Sequence, residues 1–257
     1  TFISLFIVKK KFIDTTDSHL LCGDCIKIMQ SIPTETVDAV ITDPPYNIGL
    51  FMHERNTNLK KMRENQFAYA GWDNMEYKAW KRNMSRFLTQ CARVLKKRGT
   101  LIMFMSIIKV ADIIELATKL GFYYKTTGVW HKTNPMPRNM NLQFVNSTEC
   151  WIYFIYKGTS GTFNNDGNVK HDFLESSVCP NSEKNFGKHP TQKPLKILKE
   201  LIGCVTNEGE VVLDPFMGSG STCVACDILR RRYIGIEIEE KYFDIANSRI
   251  QYLDKIR

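Results

Sequence analysis

A chain of 257 residues with 43% hydrophobic and 24% charged residues is long enough for a substantial core, and its composition excludes wholesale disorder and fibrous architectures. No apolar run approaches the roughly 20 residues that span a bilayer, and the opening TFISLFIV precedes Lys9-Lys10-Lys11 instead of following a basic stretch, the wrong order for a secretory signal. The net charge of +8 is concentrated in residues 48–100, where twelve Lys or Arg face four Asp or Glu, a bias that fits either a polyanion partner or a solvated helix face. The expectation is a cytoplasmic protein whose first residues form a terminal strand or arm.

In chain order, a short strand is expected near His19–Cys22, then an apolar strand over Val37–Thr42. Residues 48–73, rich in Asn, Lys, Arg and Met, fit no regular element. Apolar residues at three- and four-residue spacing predict a helix over Tyr77–Leu95, followed by a strand at Thr100–Met105, a helix at Val110–Leu120 and a strand at Phe122–Trp130. After an irregular segment, 131–146, comes a strand at Cys150–Tyr156 and a second irregular segment, 158–188. The remainder reads as helix Pro194–Val205, strand Val211–Leu213, helix Ser221–Leu229, strand Tyr233–Ile236 and helix Lys241–Leu253. This alternation predicts a single α/β domain over residues 1–257: a Rossmann-like, doubly wound, mostly parallel seven-stranded sheet with helices on both faces. The two irregular regions are expected to be functional loops, the first mobile, because both follow strands and ligands of such sheets bind beyond the strands' carboxyl ends.

Eight cysteines include two C-x-x-C pairs, Cys22 with Cys25 and Cys223 with Cys226. Zinc ribbons place their pairs about 15–20 residues apart, far closer than these, so no metal site is expected and buried free thiols in a reducing compartment account for them better.

The sharpest local feature is Asp43-Pro44-Pro45-Tyr46, which closes the strand VDAVIT. The two prolines lack N–H groups and hold the chain extended, so backbone carbonyls there can face a ligand without being recruited into a sheet ladder. A carboxylate, a free carbonyl and an aromatic face together make a receptor for a planar ring bearing an exocyclic NH₂; a plain structural turn is the alternative. The second feature is Asp214-Pro215-Phe216-Met217-Gly218-Ser219-Gly220, between a strand and a helix, with Glu237 closing the following strand. Its glycines permit a tight turn and close approach to a ligand, and a carboxylate placed like Glu237 can take both hydroxyls of a ribose. The third glycine of a dinucleotide fingerprint is missing, since that position is Cys223. A nucleoside cofactor without a pyrophosphate fits better than a nicotinamide dinucleotide.

In these motifs the chain resembles S-adenosylmethionine-dependent DNA amino-methyltransferases. Asp43-Pro44-Pro45-Tyr46 is similar to their catalytic motif and Asp214–Gly220 to their cofactor loop. The catalytic motif comes first, the order of the permuted β group, and Lys188-His189-Pro190-Thr191-Gln192-Lys193-Pro194 resembles a motif of that group just before the cofactor strand. The resemblance runs from about Leu21 to Leu253.

The resemblance implies S-adenosyl-L-methionine as cofactor and DNA as partner, with a homodimer and a cognate restriction endonuclease as further expected partners. Asp214, Phe216, Gly218, Ser219 and Gly220 would wrap the methionine part and body of the cofactor, Glu237 its ribose, and His189 with Thr191 its carboxylate end. Asp24 with Cys25 would border its adenine. Asp43, Pro44, Pro45 and Tyr46 form the catalytic set, with Asp43 also next to the cofactor. Trp72-Asp73 resembles a pair that follows the mobile loop, and the segment Asn134–Asn139 resembles one found in enzymes that methylate adenine in short asymmetric sites. Arg55, Lys60, Lys61 and Arg63 are the expected phosphate clamps, and Arg138 with Asn139 the expected readers of base edges. Asp at position 43, where Ser is commoner in cytosine-N4 enzymes, favours adenine N6 over cytosine N4. Cytosine-C5 transfer would need a Pro-Cys nucleophile, and the chain has no Pro-Cys dipeptide. Methylation of RNA adenine and a silent nucleic-acid-binding module are lesser alternatives.

Overall fold

The computed structural model describes residues 13–48, 75–136, 141 and 144–256. Residues 1–12, expected as a terminal arm, and all but Ile48 of the segment 48–73, expected as a loop, lie outside the described residues, as do Arg138 and Asn139.

One sheet organises the molecule, in the order β1-β8-β7-β2-β3-β5-β4-β6. Its strands are β1 (His19–Cys22), β2 (Val37–Thr42), β3 (Leu95–Met105), β4 (Phe122–Lys132), β5 (Thr148–Tyr156), β6 (Phe173–Ser176), β7 (Val211–Asp214) and β8 (Arg232–Glu237). β5 is antiparallel to both β3 and β4, and every other pairing is parallel. Among the described residues the sheet therefore has eight strands where seven are expected from the sequence. The additional strand, β6, lies within 158–188, a segment whose sequence shows no regular apolar period. It has four residues, alternates exposed and buried, and pairs only with the end of β4 at the sheet margin, so it never shows the apolar run of a central strand.

Among the described residues the α-helices are α1 (Cys25–Met29), α2 (Tyr77–Val94), α3 (Val110–Thr118), α4 (Leu195–Val205), α5 (Ser221–Ile228) and α6 (Glu240–Ile256). The helix α2 places Trp80, Met84, Phe87, Leu88 and Cys91 on one buried stripe, which is why its spacing was legible. The short α1 was not expected; five residues carry too little periodicity to register. Alternation along the strands divides the core. Val40, Leu101, Met103 and Leu213 face α1, α2 and α3, whereas Ala39, Ile41, Ile102, Phe104 and Val212 face α4, α5 and α6.

This topology determines where a ligand can sit. From β2 the chain winds through α2 to β3 on one side; from β7 it winds through α5 to β8 on the other. The strand order thus reverses between β2 and β7, opening a crevice beyond their carboxyl ends. Because β5 runs opposite to its neighbours, its first residues, Thr148 and Glu149, reach that same edge. Among the described residues no helix is long and apolar enough to cross a membrane.

Candidate active site

Asp43 leaves β2 at the switch point, directly after Thr42. The hydroxyl of Thr42 donates to Oδ1 of Asp214 at 2.7 Å, tying the ends of β2 and β7 together. Pro44 and Pro45 carry the chain away from the sheet without offering a donor for further pairing. Asn47 then joins the chain before residue 49 to the chain after residue 74: its side-chain amide donates to the Met75 carbonyl at 3.0 Å and accepts the Met75 N–H at 2.8 Å. Its φ of 51° is a left-handed conformation that asparagine tolerates better than most residues.

The side chains beyond the edge form a compact ionic cluster. The Tyr46 hydroxyl donates to Asp43 Oδ1 at 2.8 Å and lies 3.2 Å from Glu149 Oε2. Lys193 pairs with Asp43 Oδ2 and, at 3.0 Å, with Glu149 Oε2; Lys132 pairs with Glu149 Oε1 at 2.5 Å. Burial, with the Glu149 charge adding to it, raises the Asp43 carboxyl above the usual carboxylate range, and the Lys193 ammonium opposes the rise. Burial likewise opposes ionisation of Glu149, but the ammonium groups of Lys193 and Lys132 overcome it and hold this carboxyl at about 2. Although burial disfavours a charged amine, Asp43 and Glu149 keep Lys193 above the ordinary lysine range. Burial and the neighbouring carboxylates raise Tyr46 well above a free phenol, so it remains a donor.

The glycine loop lies across the crevice. Gly218 and Gly220 have φ of 52° and 75°, and a Cβ at Gly220 would stand 2.7 Å from that of Ala246. A Cβ at Gly218 would come within 3.1 Å of the His189 ring, so a side chain there would crowd the imidazole. Gly218 N–H donates to Glu237 Oε2 at 2.9 Å and Glu239 N–H to Oε1 at 2.8 Å. The Ile238 N–H is a further backbone donor, and a carboxylate's four acceptor positions are not all filled by three donors. Burial raises the Glu237 carboxyl, while those backbone donors work the other way.

Several expected contact residues prove to be committed to the loop itself. Asp214 is 3% exposed and accepts the Phe216 N–H at 3.1 Å as well as the Thr42 hydroxyl. Burial raises it to about 6. Ser219 is buried, with its hydroxyl donating to Gln192 at 3.0 Å and its carbonyl accepting from Arg249 at 2.7 Å. Asp24 caps α1, accepting the Lys27 N–H at 2.9 Å, and the Cys25 thiol sits in the core, where burial pushes it up to about 12. Cys22, expected to be buried, is exposed. His189 packs edge-on against Tyr242 at 4.3 Å, and burial together with the nearby Lys193 charge lowers it to about 4, so it is neutral at pH 7. Thr191 is exposed beside it, its N–H 3.4 Å from His189 Nδ1, and Phe216 is half-buried edge-on to Phe87.

The sequence reading assigned no role to Lys193, Glu149, Lys132 or Thr42. Lys193 stood within a quoted motif, and Glu149 was an isolated charge opening an otherwise apolar strand, a signal that it faces something other than core. The expected phosphate clamps Arg55, Lys60, Lys61 and Arg63, the pair Trp72-Asp73, and the base readers Arg138 and Asn139 lie outside the described residues.

A family model described as DNA methylase, of the N6/N4 methyltransferase type, matches residues 37–248. The chain belongs to this DNA methylase family. Among its relatives, the Type II methyltransferase M.HinfI of Haemophilus influenzae is 32% identical to the methylase over 253 residues, 90% of this chain and 68% of its own length. The Type II methyltransferase M2.LlaDCHI of Lactococcus lactis subsp. cremoris is 31% identical over 254 residues, 95% of this chain and 93% of its own. A crystal structure of M1.HpyAVI in complex with S-adenosylmethionine superposes on the methylase with a TM-score of 0.66 at 30% identity, covering 90% of this chain and 98% of that one. The cytosine-N4-specific PvuII DNA methyltransferase shares the fold, with a TM-score of 0.73 at 17% identity over 91% of this chain and 86% of its own.

Proposed function

We propose that the methylase transfers a methyl group from S-adenosylmethionine to the exocyclic N6 of adenine within a short DNA sequence, as the modification enzyme of a restriction–modification system. The observation that carries this reading is the position of Asp43: a carboxylate followed by a proline carbonyl, at the strand-order reversal, beside the glycine loop. The whole chain, 1–257, acts in this reading as one methyltransferase domain, with 48–73 as the DNA-contacting loop and segments near 131–146 and 158–188 recognising the target.

The crevice suits the cofactor. Glu237, aimed by its backbone donors, keeps acceptor capacity for a ribose hydroxyl, the backbone of Gly218–Gly220 admits close approach, and His189 and Thr191 border the far end. When bound, the cofactor supplies an electrophilic methyl on a sulfonium. Asp43 and the Pro44 carbonyl each accept one hydrogen of the target amine. Those bonds favour a pyramidal nitrogen, return its lone pair from the ring and stabilise the positive charge that develops there. Holding the amine in line with the methyl supplies much of the remaining acceleration, and no covalent enzyme nucleophile is needed.

The target base must leave the duplex, at a cost of a few kcal/mol. Stacking on Tyr46, whose ring is held by its hydroxyl contacts to Asp43 and Glu149, returns about 1–3 kcal/mol. Phosphate contacts from Arg55, Lys60, Lys61 and Arg63 offset the rest, while Arg138 and Asn139 read base edges. A homodimer and a cognate nuclease complete the reading. Transfer of a radiolabelled methyl group to DNA, followed by nucleoside chromatography, tests it: label in N6-methyladenine is expected, and label in N4-methylcytosine would overturn the choice of base.

A further inference from the structure

The cluster around Asp43 contains an ammonium that methyl transfer to an amine does not itself require. Lys193 is 7% exposed and lies 4.9 Å from the Phe104 ring, so the fold has sunk a cation beside the reacting position. Two carboxylates, Asp43 and Glu149, share the single hydroxyl hydrogen of Tyr46, at 2.8 and 3.2 Å. That hydrogen serves one of them at a time, and carboxylates so close cannot both stay ionised without a cation between them. Lys193 is that cation, bonded to Oδ2 of Asp43 and to Oε2 of Glu149, and Lys132 completes a set of two negative and two positive charges.

We infer that Lys193 and Glu149 are positioning residues for methyl transfer: Lys193 anchors Asp43 at the crevice edge as a carboxylate, and Glu149 shares the ammonium so that Asp43 retains a lone pair for the target amine. This rests on the reading of Asp43 as the acceptor, whichever exocyclic amine is the target. Lys193 is no proton acceptor, because both carboxylates keep it charged. Its effect is on Asp43, which has one hydrogen bond at each oxygen and one lone pair left on each. With Glu149 removed, the whole ammonium would fall to Asp43 and compete with the amine. The groups that face Asp43 are Tyr46 from its own loop, Glu149 from β5, Lys193 from the segment before α4 and Asp214 from β7; Lys132 acts through Glu149 and His189 lies near Lys193.

The test follows the carboxyl ¹³C signal of Asp43, assigned by its loss in Asp43→Asn, across pH in the wild type, Lys193→Met, Lys193→Arg and Glu149→Gln. The pH profile of kcat is measured on a DNA that the wild type methylates. In Lys193→Met, Asp43 is expected to titrate about one pH unit or more above the wild type, with the acidic limb of kcat displaced by the same amount and turnover at neutral pH down on the order of tenfold. Lys193→Arg is expected to restore the limb. Glu149→Gln, nearly isosteric and less disruptive to folding, is expected to lower the Asp43 titration and reduce kcat without raising KM for the cofactor. An Asp43 signal that titrates in Lys193→Met as in the wild type, or a Glu149→Gln enzyme with unchanged titration and kcat, overturns the inference. Wild-type turnover in Asp43→Asn would instead remove Asp43 from the chemistry, while the titrations would still decide what Lys193 does to it.

Discussion

Thr42 Oγ1 donates a 2.7 Å hydrogen bond to Asp214 Oδ1, joining two motifs that stand 172 residues apart in the chain. Both groups are buried, so the bond locks the end of β2 to the end of β7 away from solvent. Replacing Thr42 by Val keeps the shape and removes the donor. It is expected to cost about 1–3 kcal/mol, read as a lower urea midpoint at unchanged slope. Asp214, already pushed to about 6, should titrate higher still, because a bond favouring its ionised form is gone.

Glu237 is held by backbone: Gly218, Glu239 and Ile238 supply its donors. Those bonds aim the carboxylate and leave it with acceptor capacity. Glu237→Ala is therefore expected to weaken cofactor binding on the order of tenfold or more, the scale of one lost charge-assisted bond or two. Calorimetry returning wild-type affinity would count against the ribose assignment.

How much of this was legible in the sequence depended on the kind of signal. Strands and helices with long apolar periods, such as Val37–Thr42 and Tyr77–Val94, stood out because burial on one face imposes the pattern. Asp43-Pro44-Pro45-Tyr46 and Asp214–Gly220 stood out because their residue types are costly unless the backbone needs them. The edge strand Phe173–Ser176 was illegible, since pairing with β4 and not apolar burial makes it a strand. The ionic cluster was illegible for another reason. Its members come from the residues just after β2, from β4 and β5, and from the segment before α4, and only the reversed direction of β5 brings Glu149 to them. Roles given to Ser219 and Asp24 as ligand contacts now compete with the hydrogen bonds those side chains already make within the loop and at the start of α1.

His189 gives a pH dependence with a definite sign. Burial lowers its folded-state pKa from 6.5 to about 4, so the folded protein holds the ring neutral while the unfolded chain protonates it. The stability this provides is present in full above pH 6.5 and is lost as pH falls towards 4. At pH 5 the loss should reach about 1–2 kcal/mol relative to pH 7.5. In His189→Asn that part of the acid sensitivity should disappear, which melting curves of the cofactor-free protein at the two pH values would register. Parallel losses in both proteins would rule out this source.

Asp43→Ala should abolish turnover yet leave cofactor affinity nearly unchanged, because Glu237 and the glycine loop, not Asp43, supply the main ligand contacts in our reading. It also leaves Lys193 and Glu149 paired at 3.0 Å, so the fold should survive the change. Single-turnover methyl transfer separates the two effects. An ordinary rate would remove the catalytic assignment.

The basic stretch makes the last claim quantitative. Lys60, Lys61 and Arg63 follow the catalytic motif within a region that carries the whole net charge of +8. If they neutralise phosphates, each contact releases about 0.9 of a counterion from duplex DNA, and the logarithm of affinity falls with the logarithm of salt in proportion. Changing all three to Gln should flatten that slope by about 2 to 3, with the loss of affinity greatest at low salt. Sequence preference should stay the same, since phosphate contacts position the duplex without reading it. Fluorescence anisotropy titrations of a short duplex at several salt concentrations measure both quantities. A slope equal to the wild type would make these residues a solvated surface and shift the burden of holding an extruded base to Arg55, Arg138 and the helix α2.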